Sequence, residues 1–501
     1  MIVNESTKTK KQGTPYTLDG TLPLRIALPL GMQHVLVMLV GNVTAPLIIC
    51  AFCGIEAGSP LLIMILQNAM LIAGLTTLLQ LYPVWKFGAK LPIVMGCAAG
   101  YIGLNISVAV LVGGGVEAYS TILGATLLGG LVEIVIAVFY QRIKKLFPPL
   151  VIGTVLTAVG ISLVPVAMNS FAGGSGAADY GSAPNLFLGI LVFTISLVLD
   201  RFGKGMVKSC GVLIGIIAGY IAAAIMTATM PTTVEVVDAA GAVSQVTASW
   251  AVNWSSVADA SWFSLPKLFP VGLKFDIRAI IPICLIYASM TIESMASLNA
   301  ITEIGLGRHV TDREMTGGLF CDALGSSAAA VLGVLPNTTY ATNVGLVNMT
   351  KVVNRMTVAT GAIFLCLCGF LPKLSAVVSI MPNSVLGGAT VLMFGQILCS
   401  GFSLISKGGF TARANVIVAT AIGLGYGIGS DAAASAGLPG FLQLIIGGCG
   451  IIPCAILVIV LNALLPKEEE DLKVEAALAA QEQAALEAAA AEMASRGASG
   501  G

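Results

Sequence analysis

Apolar stretches follow one another from residue 26 to residue 465, joined by short charged links, and this succession restricts the chain to a membrane fold built of helices. Crossing a hydrocarbon core of about 30 Å as helix takes roughly 20 apolar residues. By that ruler the sequence predicts segments near 26–50, 60–82, 93–112, 118–140, 149–168, 186–200, 210–230, 276–300, 316–335, 338–352, 356–378, 381–403, 412–430 and 440–465. Composition agrees, since 56% of the residues are hydrophobic and 10% charged, whereas soluble domains carry roughly 25% charged residues. In such a chain a net charge of zero carries no message about nucleic acid, and no nucleic-acid partner is expected. Residues 1–24 are polar, so the first apolar segment is expected to serve as the insertion signal.

Two segments break the pattern. Pro336 to Lys351 reads PNTTYATNVGLVNMTK, which is polar, contains Gly345 and is too short to span a bilayer as helix. Gly96 to Gly103, GCAAGYIG, interrupts the third segment in the same way. Irregular backbone survives at membrane depth only when buried in protein or lining a cavity. In carriers, such half-helices aim their ends at substrate near the midplane. Fourteen segments divide into seven plus seven, and an odd number per half inverts the second repeat relative to the first. With the amino terminus inside, the internal links hold 21 of the 25 Lys and Arg residues, while Lys267, Lys274, Arg278 and Lys373 fall outside. That asymmetry favours both the count and the orientation.

The long link at about 231–275 falls outside, carries Trp250, Trp254 and Trp262, and contains TTVEVVDAAGAVSQVTASW, which reads as a small β-hairpin. From Lys467 onward the chain is rich in Ala, Glu and Gln, as in a cytoplasmic helix with a disordered end. Eleven scattered cysteines, Cys50 and Cys53 among them, read as small packing residues; no metal or cofactor is expected.

Ionisable side chains inside the spans are costly unless partnered or wet, and they mark candidate functional positions. Four stand out: His34, Glu133, Glu293 and Asp322. Glu293, in YASMTIESMASLNA, has Ser297 one turn on along the same face. Its carboxylate is able to accept hydrogen bonds from ring N–H groups of a ligand, and burial disfavours its charged form, which suits proton exchange. Asp322, in GLFCDALGSS, is placed to orient the broken tenth segment or to take part in a proton relay. His34, beside Gln33, is a structural donor or a contact for substrate or proton, while Glu133 reads as buried without further assignment.

These residues resemble those of the nucleobase–ascorbate transporter family, the uracil/xanthine permeases. GMQHVLVM, the glutamate of the eighth segment, the aspartate of GLFCD and NTTYATNVGLVNMTKV carry the likeness. The family signature has Gln, Glu or Pro, then Asn-x-Gly-x-x-x-x-Thr, then Arg, Lys or Gly; this chain supplies Asn343, Gly345, Thr350 and Lys351 at that spacing. The resemblance implies an all-α protein with fourteen segments in two inverted seven-segment repeats. A core domain, residues 25–140 and 276–378, would hold substrate. A gate domain, 141–230 and 379–466, would support a homodimer. The tails, 1–24 and 467–501, would be cytoplasmic and the 231–275 loop extracellular, in a cell (inner) membrane. Substrate would lie between the third and tenth segments against Glu293, with an inward proton gradient, or sodium in some members, as the driving force.

Three positions depart from the family pattern. Thr342 stands where Gln or Glu usually contacts the base, Ala98-Ala99 where Ser-Phe is usual, and Ser297 where the family has Asp. A hydroxyl cannot pair with a base edge as an amide does, and the alanines remove an aromatic wall, leaving a roomier pocket. Tyr340 and Tyr101 are the rings nearest in sequence to fill that place. The reading is a proton symporter for a purine, xanthine or uric acid ahead of uracil. Glu293, Thr342, Asn343, Ala99, Ser297, Tyr340 and Gly345 form its substrate set, and Glu293, Asp322 and His34 its proton set. The rival is an anion exchanger or channel on the same architecture. The candidate polar groups contain no nucleophile–base pair, so no enzyme is expected.

Overall fold

The computed structural model describes residues 14–143, 148–174, 176–237, 243–439 and 450–474, with isolated residues between 442 and 484. Helices dominate. Those of the amino-terminal half are α1 (Leu24–Phe52), α2 (Pro60–Leu81), α3 (Ile102–Val112), α4 (Gly115–Ile143), α5 (Pro149–Phe171), α6 (Ala183–Phe202) and α7 (Gly211–Thr229). The second half supplies α8 (Ile277–Leu306), α9 (Asp312–Val331), α10 (Ala341–Thr350), α11 (Arg355–Cys368), α12 (Asn383–Lys407), α13 (Ala412–Thr420) and α14 (Ile451–Leu464). Short strands β1 (Met95–Cys97) and β4 (Asn337–Thr339) precede α3 and α10, while β2 (Thr233–Val237) and β3 (Val243–Thr247) form a hairpin between α7 and α8.

Among the described residues, eight helices are long and apolar enough to cross a membrane: α1, α2, α4, α5, α6, α7, α8 and α12. The other apolar stretches take different shapes for identifiable reasons. Gly96 and Gly100 before α3, and the polar run before α10, interrupt these stretches, and each begins with a three-residue strand in place of helix. α11 bends by 84° into the short helix Pro372–Ser379, where Pro372 supplies no amide proton. α13 passes into a π-helical turn, Ala421–Tyr426, in a Gly-rich run. The sequence-predicted fourteenth stretch falls partly outside the described residues, and its described helix is α14.

Packing divides the helices into two groups. α1, α2, α4, α8, α9 and α11 enclose β1 and β4, while α5, α6, α7 and α12 pack together with α13 and α14 at their side. Small residues allow the close crossings: a methyl on Gly31 of α1 would press into Thr357 O of α11, and one on Gly361 would press back into Gly31 O. End signals agree with chain order. Ser59 caps α2 with Pro60 next, and Thr311 and Glu314 form a capping box on α9.

The 231–275 link forms the hairpin read from its sequence, β2 pairing antiparallel with β3 from Thr233↔Thr247 to Val237↔Val243. Its end is pinned where Asp179, buried between α5 and α6, accepts from Ser249 N and from Asn185 Nδ2. Trp250 is buried, whereas Trp254 and Trp262 are exposed. Of the carboxyl-terminal tail, residues 469–474 are helical and 485–501 lie outside the described residues, the expected disordered end among them. Asp471 docks that helix by accepting from Thr411 Oγ1 at 2.5 Å.

Candidate functional site

Two breaks in the helical backbone at membrane depth leave amide groups that need partners, and the chain supplies them. β1 and β4 pair antiparallel, with Met95 opposite Thr339, Gly96 opposite Thr338 and Cys97 opposite Asn337. The ladder extends at both ends: Tyr340 N donates to Val94 O at 3.0 Å, and Ala98 N donates to Pro336 O at 3.1 Å. Because the strands are antiparallel, α3 and α10 leave the pair in opposite directions.

Neighbouring helices satisfy the rest. Asn42 of α1 accepts from Cys97 N at 2.9 Å, Thr77 of α2 accepts from Met95 N at 2.9 Å, and Thr76 accepts from Asn337 Nδ2 at 2.6 Å. Ser326 of α9 accepts from Asn337 N at 3.2 Å and donates to Asn337 O at 3.0 Å. None of these residues stands out as a site residue in the sequence. The available signal was a small polar side chain inside an otherwise apolar helix, where water cannot pair with it.

Asp322 is the hub of this wiring. It is buried in α9, and Thr339 Oγ1 donates to its Oδ1 at 2.9 Å. Thr339 N and Gln80 Nε2 approach it at 3.4 Å, and Ser294 Oγ of α8 forms a short hydrogen bond to Oδ2. One carboxylate thus ties α2, α8, α9 and β4 together.

Glu293 is the neighbour of Ser294 and behaves differently. It is half-buried, and its carboxylate has no hydrogen-bond partner among the described residues. It faces the start of the third segment: a methyl on Gly100 would lie 3.8 Å from Glu293 Oε2 and would press into Met290 Sδ. Glycine at position 100 therefore lets α8 approach the turn before α3. Ala98 and Ala99, in that turn, are half-buried. Ser297 is buried one helical turn beyond Glu293.

On the α10 side, Thr342 and Gly345 are exposed, and no atom lies within 4 Å of a methyl placed on Gly345. Asn343 is buried and fixed at both ends of its amide. Its Nδ2 donates to Pro92 O at 2.9 Å, so its Oδ1 accepts from His34 Nδ1 at 2.6 Å. His34 thereby links α1 to α10. The Tyr340 ring is buried beside Gly41 and Gly96, and its hydroxyl donates to Cys97 O at 3.1 Å. Tyr101 is also buried, its ring centroid 4.9 Å from that of Tyr287. Both rings are engaged in packing rather than left open.

Taken together, the geometry brings Glu293 to the third segment, Asp322 to the strand of the tenth, and His34 to Asn343. No group of three or more His, Cys, Asp or Glu side chains suited to a metal ion occurs among the described residues. The broken, paired half-helices and the partner-free carboxylate inside an apolar bundle define a polytopic membrane carrier. The comparisons narrow the class. The sequence profile described as "Permease family" (Xan_ur_permease) matches residues 25–432. The uric acid permease PucK of Bacillus subtilis is 31% identical over 87% of this chain and 94% of its own length. The xanthine permease of the same organism is 31% identical over 80% of this chain and 85% of its own. The chain belongs to this permease family: it is an integral membrane transport protein and not an enzyme. Among solved structures, the transmembrane domain of the cyanobacterial bicarbonate transporter BicA superposes with a TM-score of 0.53 at 12% identity, covering 88% of this chain and 98% of that one. Murine Slc26a9, an anion transporter in an inward-facing state, gives 0.55 at 8% identity over 88% of this chain and 69% of that one. At those identities the likeness is one of fold.

Proposed function

We propose that the protein is a secondary active transporter, a nucleobase:proton symporter that imports a purine, xanthine or uric acid, by alternating access. The observation that carries the reading is Glu293, a carboxylate with no hydrogen-bond partner among the described residues, facing the break in the third segment beside Gly100. Purine rings offer N–H donors to such a group, whereas the charge of the carboxylate repels an anion, which favours a base over the anion-exchanger alternative. Relatives named for uric acid and xanthine at 31% identity favour a purine over uracil.

In this reading the fold comprises fourteen transmembrane segments in two inverted repeats of seven. Segments 1–4 and 8–11 make the core domain and 5–7 and 12–14 the gate domain of a homodimer, with both termini cytoplasmic in the cell membrane. The purine sits between the third and tenth segments. Glu293 accepts its N–H groups, and Thr342, Gly345 and the half-helix amides contact its edge. Ala99 leaves room for the ring, and Ser297 supports Glu293. Asn343, held by His34, and Tyr340 set the position of α10. Protonation at Glu293 or a coupled carboxyl accompanies binding, and the core then moves against the gate to open the site inward. Asp322 holds α8 and β4 together during that movement.

The test is uptake of radiolabelled xanthine, uric acid, uracil and adenine into cells lacking their own permeases, with and without a protonophore or a sodium gradient. Saturable uptake of a purine, abolished by the protonophore and by Glu293→Gln, is the expected result. Uptake driven by sodium would reassign the coupling ion. Correctly inserted protein that moves none of the bases would remove the nucleobase reading.

A further inference from the structure

Glu133 lies in the middle of α4, 1% exposed, and has no part in the site described so far. Its surroundings offer few donors to a charged carboxylate. Thr291 of α8 is its one hydrogen-bonding neighbour among the described residues, with Oγ1 3.4 Å from Glu133 Oε1. A hydroxyl has a single proton, and Thr291 Oγ1 already donates to Tyr287 O, one turn back, at 2.7 Å. With that proton on Tyr287 O, the shorter of its two contacts, Thr291 turns a lone pair towards Glu133. Two lone pairs do not attract, so the contact is a hydrogen bond only when Glu133 is the donor, as the neutral acid. Glu133 Oε2 is buried with no hydrogen-bond partner among the described residues. An ionised carboxylate there would leave that oxygen without a donor, which is costly in an apolar interior.

The contrast with Asp322 is direct. Asp322 faces donors from Ser294, Thr339 and Gln80, whereas Glu133 has only the Thr291 hydroxyl among the described residues. The titratable groups around Glu133 are Asp322 and Cys321 from α9, Tyr287 from α8 and Tyr101 from the turn before α3. Glu133 also contacts the helix that carries Glu293, since Thr291 lies two residues before it.

We propose that Glu133 is a second proton-binding site, in the α4–α8 interface, and that it holds the proton coupled to transport while Asp322 remains the charged clasp. The proposal rests on the symporter reading for its role in transport but not for the proton itself. When α8 shifts with substrate, Thr291 Oγ1 moves relative to Glu133 Oε1, and the O–H bond either gains or loses its acceptor. The Glu133 O–H bond then breaks as the proton forms a new O–H bond on water, giving H3O⁺, and the carboxylate left behind accepts from the Thr291 hydroxyl once that turns from Tyr287 O.

Two readouts test this on the full-length protein. The first needs no substrate: the infrared carboxylic-acid C=O band at neutral pH, taken as wild type minus Glu133→Gln. The proposal expects a band in the difference, and a difference without one overturns it. The second uses proteoliposomes. For one coupled proton, a pH gradient of one unit drives about tenfold accumulation. Glu133→Gln, which keeps an N–H donor for Thr291, is expected to exchange labelled purine at the wild-type rate yet accumulate none. Glu133→Asp, which keeps an acid, is expected to accumulate. Equal accumulation by wild type and Glu133→Gln overturns the coupling role, and so does loss of exchange in both variants, which would make Glu133 a packing residue. Wild-type protein that shows the band but moves no base would retain the proton site and remove the symporter reading.

Discussion

Asp322 and Glu293 are both acids within the helical bundle, linked through Ser294, yet their environments are opposite. Asp322 is saturated by donors from three other elements, and Glu293 has none among the described residues. A saturated carboxylate fixes geometry, because every displacement breaks a charge-assisted hydrogen bond. An unsaturated one is free to accept from a ligand. The comparison separates what holds the broken segments from what they hold.

The sharpest way to break this contrast is Asp322→Ala. It strips the acceptor from Ser294 Oγ, Thr339 Oγ1 and Thr339 N, with an expected destabilisation of about 3–5 kcal/mol. Thermal unfolding in detergent would show it as a large fall in Tm, and an unchanged Tm would deny Asp322 its role as clasp. Glu293→Gln is expected to do the reverse, abolishing transport while stability stays within about 0.5 kcal/mol. A large Tm loss in that variant would mean that Glu293 has a structural partner.

Smaller effects sharpen the picture at the edges. Tyr340→Phe removes one buried hydrogen bond to Cys97 O, and about 1 kcal/mol of stability is expected to go with it. Unfolding in detergent would register that loss, while a variant as stable as wild type would show that the hydroxyl finds no acceptor there. At the amino-terminal end of α9, burial pushes the Glu314 carboxyl up, but its bonds to Arg308 and Thr311 outweigh burial and hold it below its ordinary 4.5. The stability this contributes is complete above that value and fades as pH falls through the lowered one. Glu314→Gln should therefore flatten the acid limb of a stability–pH profile and leave its shape unchanged above pH 4.5.

Much of the fold was legible because its signals are local. Apolar length marks the eight helices long enough to span among the described residues, and the Thr/Val alternation marks the β2–β3 hairpin. Glu293 stood out as a lone acid in an apolar run. What could not be read depends on partners distant in sequence. Asn42, Thr76, Thr77 and Ser326 look like incidental polar residues until the strands they satisfy are placed beside them. Tyr340 sits in the most informative stretch of the sequence, yet its ring goes to Gly41 and Gly96, since those glycines leave space that no pattern in α10 announces. The π-helical turn at Ala421–Tyr426 is similar: a Gly-rich run signals weakness but not its form. For Glu133, burial was legible and its single neighbour was not.

The most direct measurement of the central claim is the thermal unfolding of purified wild type and Glu293→Gln with xanthine or uric acid added. A ligand at a hundred times its Kd stabilises the folded state by about 2.7 kcal/mol. The expected result is a rise in Tm for wild type with one of the two purines and no rise for Glu293→Gln, from the same starting Tm. An equal rise in both proteins would place the purine elsewhere, and no rise in wild type with either would contradict the account.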